Sequence, residues 1–248
     1  MLSHKEKDLK RTVFILIAAG FVLSGVGCAS SGKTVLLAQK DPIALVSVIS
    51  NEDINWQGEA STNPESLGPL VKRKLRNEPE MAAITKANEL INTAEFMLRS
   101  AVNASGRFSL AERETVLNSS AYQNAKERKF PNREMVTPDN FRFVDVRDKN
   151  LPAALAAETG LKRFMYVEFN FTKMLFTGIS FIGSCRPDVE MNVVIVDAGR
   201  KTIYRKAVSS LSTSGTRTVN GVYNQAELLE LFHEAIDGVL FDFFSDFN

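Results

Sequence analysis

The chain has 248 residues, 30 Lys and Arg against 29 Asp and Glu, and a formal net charge of +1. That balance offers no footprint for nucleic acid, and its densest basic cluster (Lys72, Arg73, Lys74, Arg76) reads as a solvated helix face. Two cysteines and two histidines exclude a disulfide scaffold and leave almost no candidates for Ser-His-Asp, Cys-His or metal chemistry.

The N-terminus is a cationic segment followed by an apolar one. Lys5, Lys7, Lys10 and Arg11 stand against Glu6 and Asp8, and residues 12–27 (TVFILIAAGFVLSGVG) carry no charge. This is the pattern of a secretory signal. Its 16 uncharged residues fall short of the roughly 20 that a permanent spanning helix needs. The run ends in the small residues Ser24, Gly25 and Gly27, which a peptidase cleft requires, and Cys28 follows. The segment resembles a bacterial lipobox, in a relaxed form similar to those of spirochaetes. Gly25 stands where the usual pattern has leucine, and Leu23 lies two positions further back. The resemblance implies that the Cys28 thiol takes a diacylglyceryl group, that fatty acyl chains such as palmitate anchor the protein, and that Cys28 becomes the mature N-terminus. Ala29 and Ser30 lack the aspartate of inner-membrane retention, which implies an outer-membrane anchor facing the periplasm.

Residues 27–34 (GCASSGKT) also match the phosphate-binding pattern G-x-x-x-x-G-K-[ST]. That loop must join a short buried strand to a helix N-terminus. Here the preceding apolar run is about three times a typical strand length, and Asp41-Pro42 stops any following helix early. A nucleotide hydrolase using Lys33, Thr34 and Asp197 is therefore the minor alternative. Asp197 is more simply the turn after a buried strand, VVIVD.

Removing residues 1–27 leaves 26 Lys and Arg against 27 Asp and Glu, a net charge of −1. With Cys28 acylated, Cys185 has no disulfide partner and reads as a small buried hydrophobe. Residues 28–41 form a lipidated tether and residues 42–248 a single globular domain. Residues 42–49 (PIALVSVI) read as the first core strand. Residues 51–79 read as a long polar loop, broken by Gly58, Pro64, Gly68 and Pro69, and form either a binding surface or an insertion whose Trp56 folds back on the core.

Residues 84–102 show the clearest helix: Ile84, Ala87, Leu90, Ile91, Ala94, Met97, Leu98 and Ala101 share one face, and Gly106 stops it. Residues 108–110 are a short strand candidate. Residues 111–125 read as a second helix, with Glu112 and Glu114 near its positive end. Residues 126–140 read as an exposed loop, 141–146 as a short strand and 151–159 as a helix ended by Gly160. From Phe164 to Phe171 polarity alternates, with Val167, Phe169 and Phe171 on one face and Tyr166, Glu168 and Asn170 on the other. Residues 174–185 continue that run, bent at Gly178 and Gly183. Strands 190–196 and 202–209 flank a hairpin turn at 197–201. Residues 210–220 read as a polar loop. A helix over 225–244 closes the chain, capped by Asn224 and Glu227. Its buried stripe holds Leu229, Phe232, Ile236, Val239, Leu240 and Phe243, widened by Leu228 and Leu231. His233 lies beside that stripe as a structural or solvated residue.

This order predicts an α+β fold, a mixed α/β sandwich with a C-terminal hairpin and a long helix packed across the sheet. The run AEFMLRSAVNASGRFSL, then RFMYVEFNF, then VVIVDAGRKTIY with its Asp197–Lys201 turn, then the long helix, resembles the periplasmic domain of curli-export (CsgG-type) lipoproteins and penicillin-binding-protein activators (LpoB-type). The resemblance implies binding or assembly at the cell envelope, with no catalytic residues to carry over. The expected protein is a non-enzymatic envelope lipoprotein without metal or cofactor. Its partners are membrane lipid through Cys28 and other envelope proteins or copies of itself. An alternative is a lipoprotein that binds a small apolar ligand or lipid among Phe171, Phe176, Phe181, Phe241, Phe243 and Phe244.

Overall fold

The computed structural model describes residues 41–57, 69–83, 85–131, 133–179 and 182–247. The expected signal segment, Cys28, the 27–34 motif and the expected tether up to residue 40 lie outside them. The first described strand, β1 (Ile43–Asn51), is buried along eight consecutive residues. A run that is apolar apart from Ser47 and Ser50 suits a strand covered on both faces. It pairs in parallel with β5 (Arg163–Ile179), from Ile43 opposite Arg163 to Ser50 opposite Phe169. β5 turns back antiparallel into β6 (Ile182–Asp197), and β6 into β7 (Thr202–Leu211).

Among the described residues the sheet has nine strands. Its path runs β3–β9–β8–β6–β5–β1–β4, where β3 is Met81–Ala82, β4 Met135–Val136, β8 Thr216–Val219 and β9 Val222–Asn224. β2 (Asn55–Trp56) joins β5, and β7 joins β6 beside β8. The architecture is a mixed α/β sandwich with the long C-terminal helix against the sheet, as the sequence leads one to expect.

Six helices accompany the strands among the described residues: α1 (Pro69–Asn77), α2 (Asn88–Ser105), α3 (Arg113–Leu117), α4 (Ser120–Gln123), α5 (Leu151–Thr159) and α6 (Gln225–Ser245). α6 carries its buried stripe on Leu228, Phe232, Ala235, Ile236, Val239, Leu240 and Phe243. Phe232 meets Phe171 of β5 edge-on at 5.8 Å, and Phe243 meets Tyr204 of β7 at 6.0 Å. Phe108 joins them, 5.6 Å from Phe247 and 5.9 Å from Phe244. Each fully buried phenylalanine contributes about 1.5–3 kcal/mol by leaving water, so this aromatic cluster ties α6 to both the sheet and the chain after α2.

The capping pair at α6 divides its work. Asn224 Oδ1 accepts from Glu227 N at 3.1 Å, as expected. The Glu227 carboxylate instead accepts from Thr216 Oγ1 at 2.6 Å, so it fastens β8 to the helix start.

Local readings are corrected. The polar loop 51–79 contains β2 and α1. Pro69 opens α1 at the position where a missing N–H costs nothing, and Lys72, Arg73 and Arg76 are exposed on it. α2 starts at Asn88, and Ile84 lies outside the described residues. Residues 85–87 pair with 52–54 instead, through Ile54 N to Thr85 O at 3.0 Å and Ala87 N to Glu52 O at 2.8 Å. The helix over 111–125 is broken in two, because Ser119 takes an extended backbone (ψ 143°) and caps α4 by accepting from Tyr122 N. The strands expected at 108–110 and 141–146 are single bridges, Ile43 with Leu110 and Glu127 with Val144. Residues 174–185 are the far end of the β5–β6 hairpin. Gly178 and Gly183 face each other across it, with a register shift between Leu175 and Thr177.

The loop 210–220 holds β8 and one half of a tight hairpin. Asn220 (φ 52°) and Gly221 (φ 75°) supply the two left-handed residues between β8 and β9. Asn-Gly is a strong short-range signal for that turn, and the charge-poor strands around it conceal it.

Candidate functional site

The alternation that buries Val167, Phe169 and Phe171 along β5 also turns Lys173 inward. Lys173 is 1 % exposed. Its ammonium donates to the Ile54 carbonyl and lies 5.5 Å from the centre of the Trp56 ring and 5.1 Å from that of Tyr223. The two rings stand edge-on to each other, 6.3 Å apart. Tyr223 is fixed in turn by Thr85, oxygen to oxygen at 3.1 Å. Ring faces attract a cation most strongly where water is excluded.

Burial lowers Lys173 to about 8 and pushes the buried Cys185 thiol up to about 12. An amine lowered this far can form a Schiff base with a carbonyl compound, but the two rings and the Ile54 carbonyl close the approach to Nζ. What Lys173 does is hold the β2 segment and its tryptophan on the sheet.

The opposite side of the same strands is polar and open. A cleft of about 480 Å³ lies between β1, β2, β4, β5 and β6, lined by Asp53, Asn55, Glu134, Glu168, Asn170 and Asn192 among others. Its floor is held by amides. Asn51 Nδ2 donates to Phe171 O and Asn51 Oδ1 accepts from Phe171 N, both at 2.8 Å, which closes the gap where β1 ends and β2 begins. Asn192 Nδ2 donates to Glu190 Oε1 at 3.2 Å. Arg128 reaches Glu168 at 3.9 Å. Lys86 bridges Glu52 at 3.0 Å and Asp53 at 2.6 Å, and these two carboxylates raise its pKa. Along the rim, Gln57 Nε2 donates to Thr172 Oγ1 at 2.9 Å and to the Asp188 carboxylate, while burial raises the Asp188 carboxyl. Amides and carboxylates spread over a pleated surface suit a peptide backbone, hydroxyl groups or cationic side chains. Among the described residues no group of three His, Cys, Asp or Glu side chains could hold a metal ion.

The residues singled out in the sequence scatter. Cys28, Lys33 and Thr34 lie outside the described residues. Asp197 Oδ1 accepts from Lys201 N at 2.8 Å, the work of a turn residue. His233 is exposed on α6. Asp246 pairs with Lys206 at 2.7 Å and accepts from Tyr204 at 3.1 Å, which fixes the helix end to β7. The phenylalanines do not converge on a cavity. Phe171 and Phe243 are core, Phe244 is half-buried in the aromatic cluster and Phe241 is 74 % exposed. Phe181 and the Phe176 side chain lie outside what the structure describes. Lys173 was the residue missed. Its signal was a lysine at the next inward position of β5 after Val167, Phe169 and Phe171.

No protein-family model matches this chain, and no curated protein matches it in sequence. Among solved structures, the chain is similar to lipoprotein GNA1162 of Neisseria meningitidis at 14 % identity and a TM-score of 0.32, over 60 % of this chain and 88 % of that one. It is similar to the hypothetical protein CT253 of Chlamydia trachomatis at 10 % identity and a TM-score of 0.37, over 83 % and 96 %. It is also similar to the LpoB C-terminal domain of Salmonella enterica at 12 % identity and a TM-score of 0.24, over 73 % and 95 %. Overlaps of this size carry no weight for function.

Proposed function

We propose that this chain is a bacterial envelope lipoprotein, anchored by acylated Cys28, with a non-enzymatic domain that binds other envelope proteins or further copies of itself. The observation that carries the reading is the N-terminal pattern: a cationic start, 16 uncharged residues, small residues and then Cys28. Several acyl chains on that cysteine contribute about 0.8 kcal/mol per buried CH₂, enough for durable anchoring where a single chain is marginal. The mature chain faces the periplasm from the outer membrane. The open polar cleft supports a protein partner over a small apolar ligand, because amides and carboxylates line it.

The test is the intact mass of the protein purified from its native membranes, beside a Cys28→Ala variant. Loss of residues 1–27 with a diacylglyceryl and acyl increment, both absent in the variant, is the expected result. A chain still starting at Met1 and carrying no lipid would overturn it and make nucleotide binding by Lys33 the next measurement.

A further inference from the structure

We infer that two copies of this chain pair through the outer edge of β7, as one antiparallel ladder about a two-fold axis at Val208. The inference rests on the self-assembly part of the reading above and on none of the lipid chemistry.

Both ends of the sheet path are closed by two-residue strands, β3 and β4, which offer little to pair with. β7 differs: it has ten residues and, among the described residues, pairs with β6 alone. A long strand with one free side presents a row of unpaired backbone groups and is a template for another chain.

The ladder identifies which groups are free. Antiparallel strands exchange hydrogen bonds at alternate residues. Ser212 N donates to Pro187 O at 3.1 Å, continuing the register in which Ser210 faces Val189, Val208 faces Met191, Lys206 faces Val193 and Tyr204 faces Ile195. Those residues therefore turn their N–H and C=O toward β6, and Arg205, Ala207, Ser209 and Leu211 turn theirs outward. Among the described residues no backbone group answers them.

Edges are normally blunted by charge, proline or a bulge. The devices on β7 lie at its start: the register irregularity beside Tyr204, then Arg205 and Lys206. Lys206 is already engaged by Asp246 and the Asp242 carbonyl. From Ala207 to Leu211 the strand has no charge and no proline, and Ala207 and Ser209 are small and exposed.

The edge is complementary to itself. An axis at Val208 sets Ala207 opposite Ser209 and Arg205 opposite Leu211, so all four outward residues pair, with about eight hydrogen bonds at two per pair. It also sets Val208 opposite Val208, a favourable β-branched pair, and Lys206 opposite Ser210. An axis at Lys206 or at Arg205 would place like charges face to face, which disfavours those registers.

The test uses full-length chain purified in detergent. Residues facing each other in a hydrogen-bonded pair have Cα atoms about 5.5 Å apart, within disulfide range. An equal mixture of Ala207→Cys and Ser209→Cys chains should form a disulfide dimer in high yield under mild oxidation. Each variant alone, and a Lys201→Cys control, should stay near the wild-type background. Ala207→Pro removes only an outward N–H, so it should abolish the dimer in sedimentation while leaving the melting temperature within a few degrees. Ser209→Pro provides the same reading if Ala207→Pro fails to fold. A wild-type monomer in sedimentation, or equal cross-linking at Lys201→Cys, overturns the inference. Cross-linking of Ala207→Cys with itself but not with Ser209→Cys overturns its register. Intact mass on the same samples separates the two claims: an acylated monomer overturns only the pairing, and an unacylated dimer only the anchor.

Discussion

Lys173 lies with its ammonium 5.1 Å from the centre of the Tyr223 ring, and both residues are essentially without solvent contact. Burial disfavours the charged amine, and the fold lowers its pKa from 10.5 to about 8. Between these two values the unfolded chain holds a proton that the folded chain has released, so folding stability from this group rises with pH. Below about pH 8 both states are charged and the full penalty stands.

The wild-type chain should therefore gain about 1.4 kcal/mol between pH 7 and pH 9 relative to a Lys173→Met variant, one pKa unit of differential binding. Cys185 acts in the opposite sense. Its raised pKa withdraws stability above its unfolded value of 9.0, so the difference between the two proteins is the quantity to measure. Trp56 is the only tryptophan in the chain, and its fluorescence should titrate near pH 8 in the wild type and not in the variant. A flat difference in denaturant unfolding across this range would show that Lys173 stays charged in its box.

Gly238 of α6 stands against Ser210 of β7. A Cβ added at Gly238 would lie 2.9 Å from the Ser210 Cβ and strike its hydroxyl. Overpacking of this kind costs about 1–3 kcal/mol, partly offset by the roughly 1 kcal/mol that alanine gains over glycine in a helix. Gly238→Ala should thus destabilise the chain by up to about 2 kcal/mol in denaturant unfolding. In a Ser210→Gly background the same substitution should be neutral or stabilising, a coupling that contacting residues show and distant ones do not. Equal effects in both backgrounds would mean that the helix sits further from β7.

Tyr122 is fully buried on α4, and its hydroxyl accepts from the backbone N–H of Arg142 at 2.9 Å. This bond holds the segment after β4 against the small helices. Tyr122→Phe keeps the ring and leaves that N–H without its acceptor, at a cost of about 1–3 kcal/mol. Native-state hydrogen exchange should show the Arg142 amide opening faster by the same free energy. An unchanged exchange rate would mean that water replaces the hydroxyl.

The sequence by itself determined the parts whose physics is local. The core of β1, the stripes of α2 and α6, the glycine stops at Gly106 and Gly160 and the hairpin turn at 197–201 follow from periodicity and turn chemistry, and each lies within a few residues of its expected place. The N-terminal pattern ending at Cys28 is likewise carried by local sequence. Tertiary structure decided what depends on partners distant along the chain. Residues 85–87 fit a helix but pair with 52–54. Residues 174–185 fit one continuous strand, but Met174–Ile179 pair antiparallel with Ile182–Arg186. Lys173 becomes a buried cation because the Ile54 carbonyl and the rings of Trp56 and Tyr223 converge on it from segments more than 45 residues away. The free edge of β7 is of the same kind: whether a strand has a neighbour on its second side is a property of the assembled sheet, since any strand sequence can pair on one side or on both.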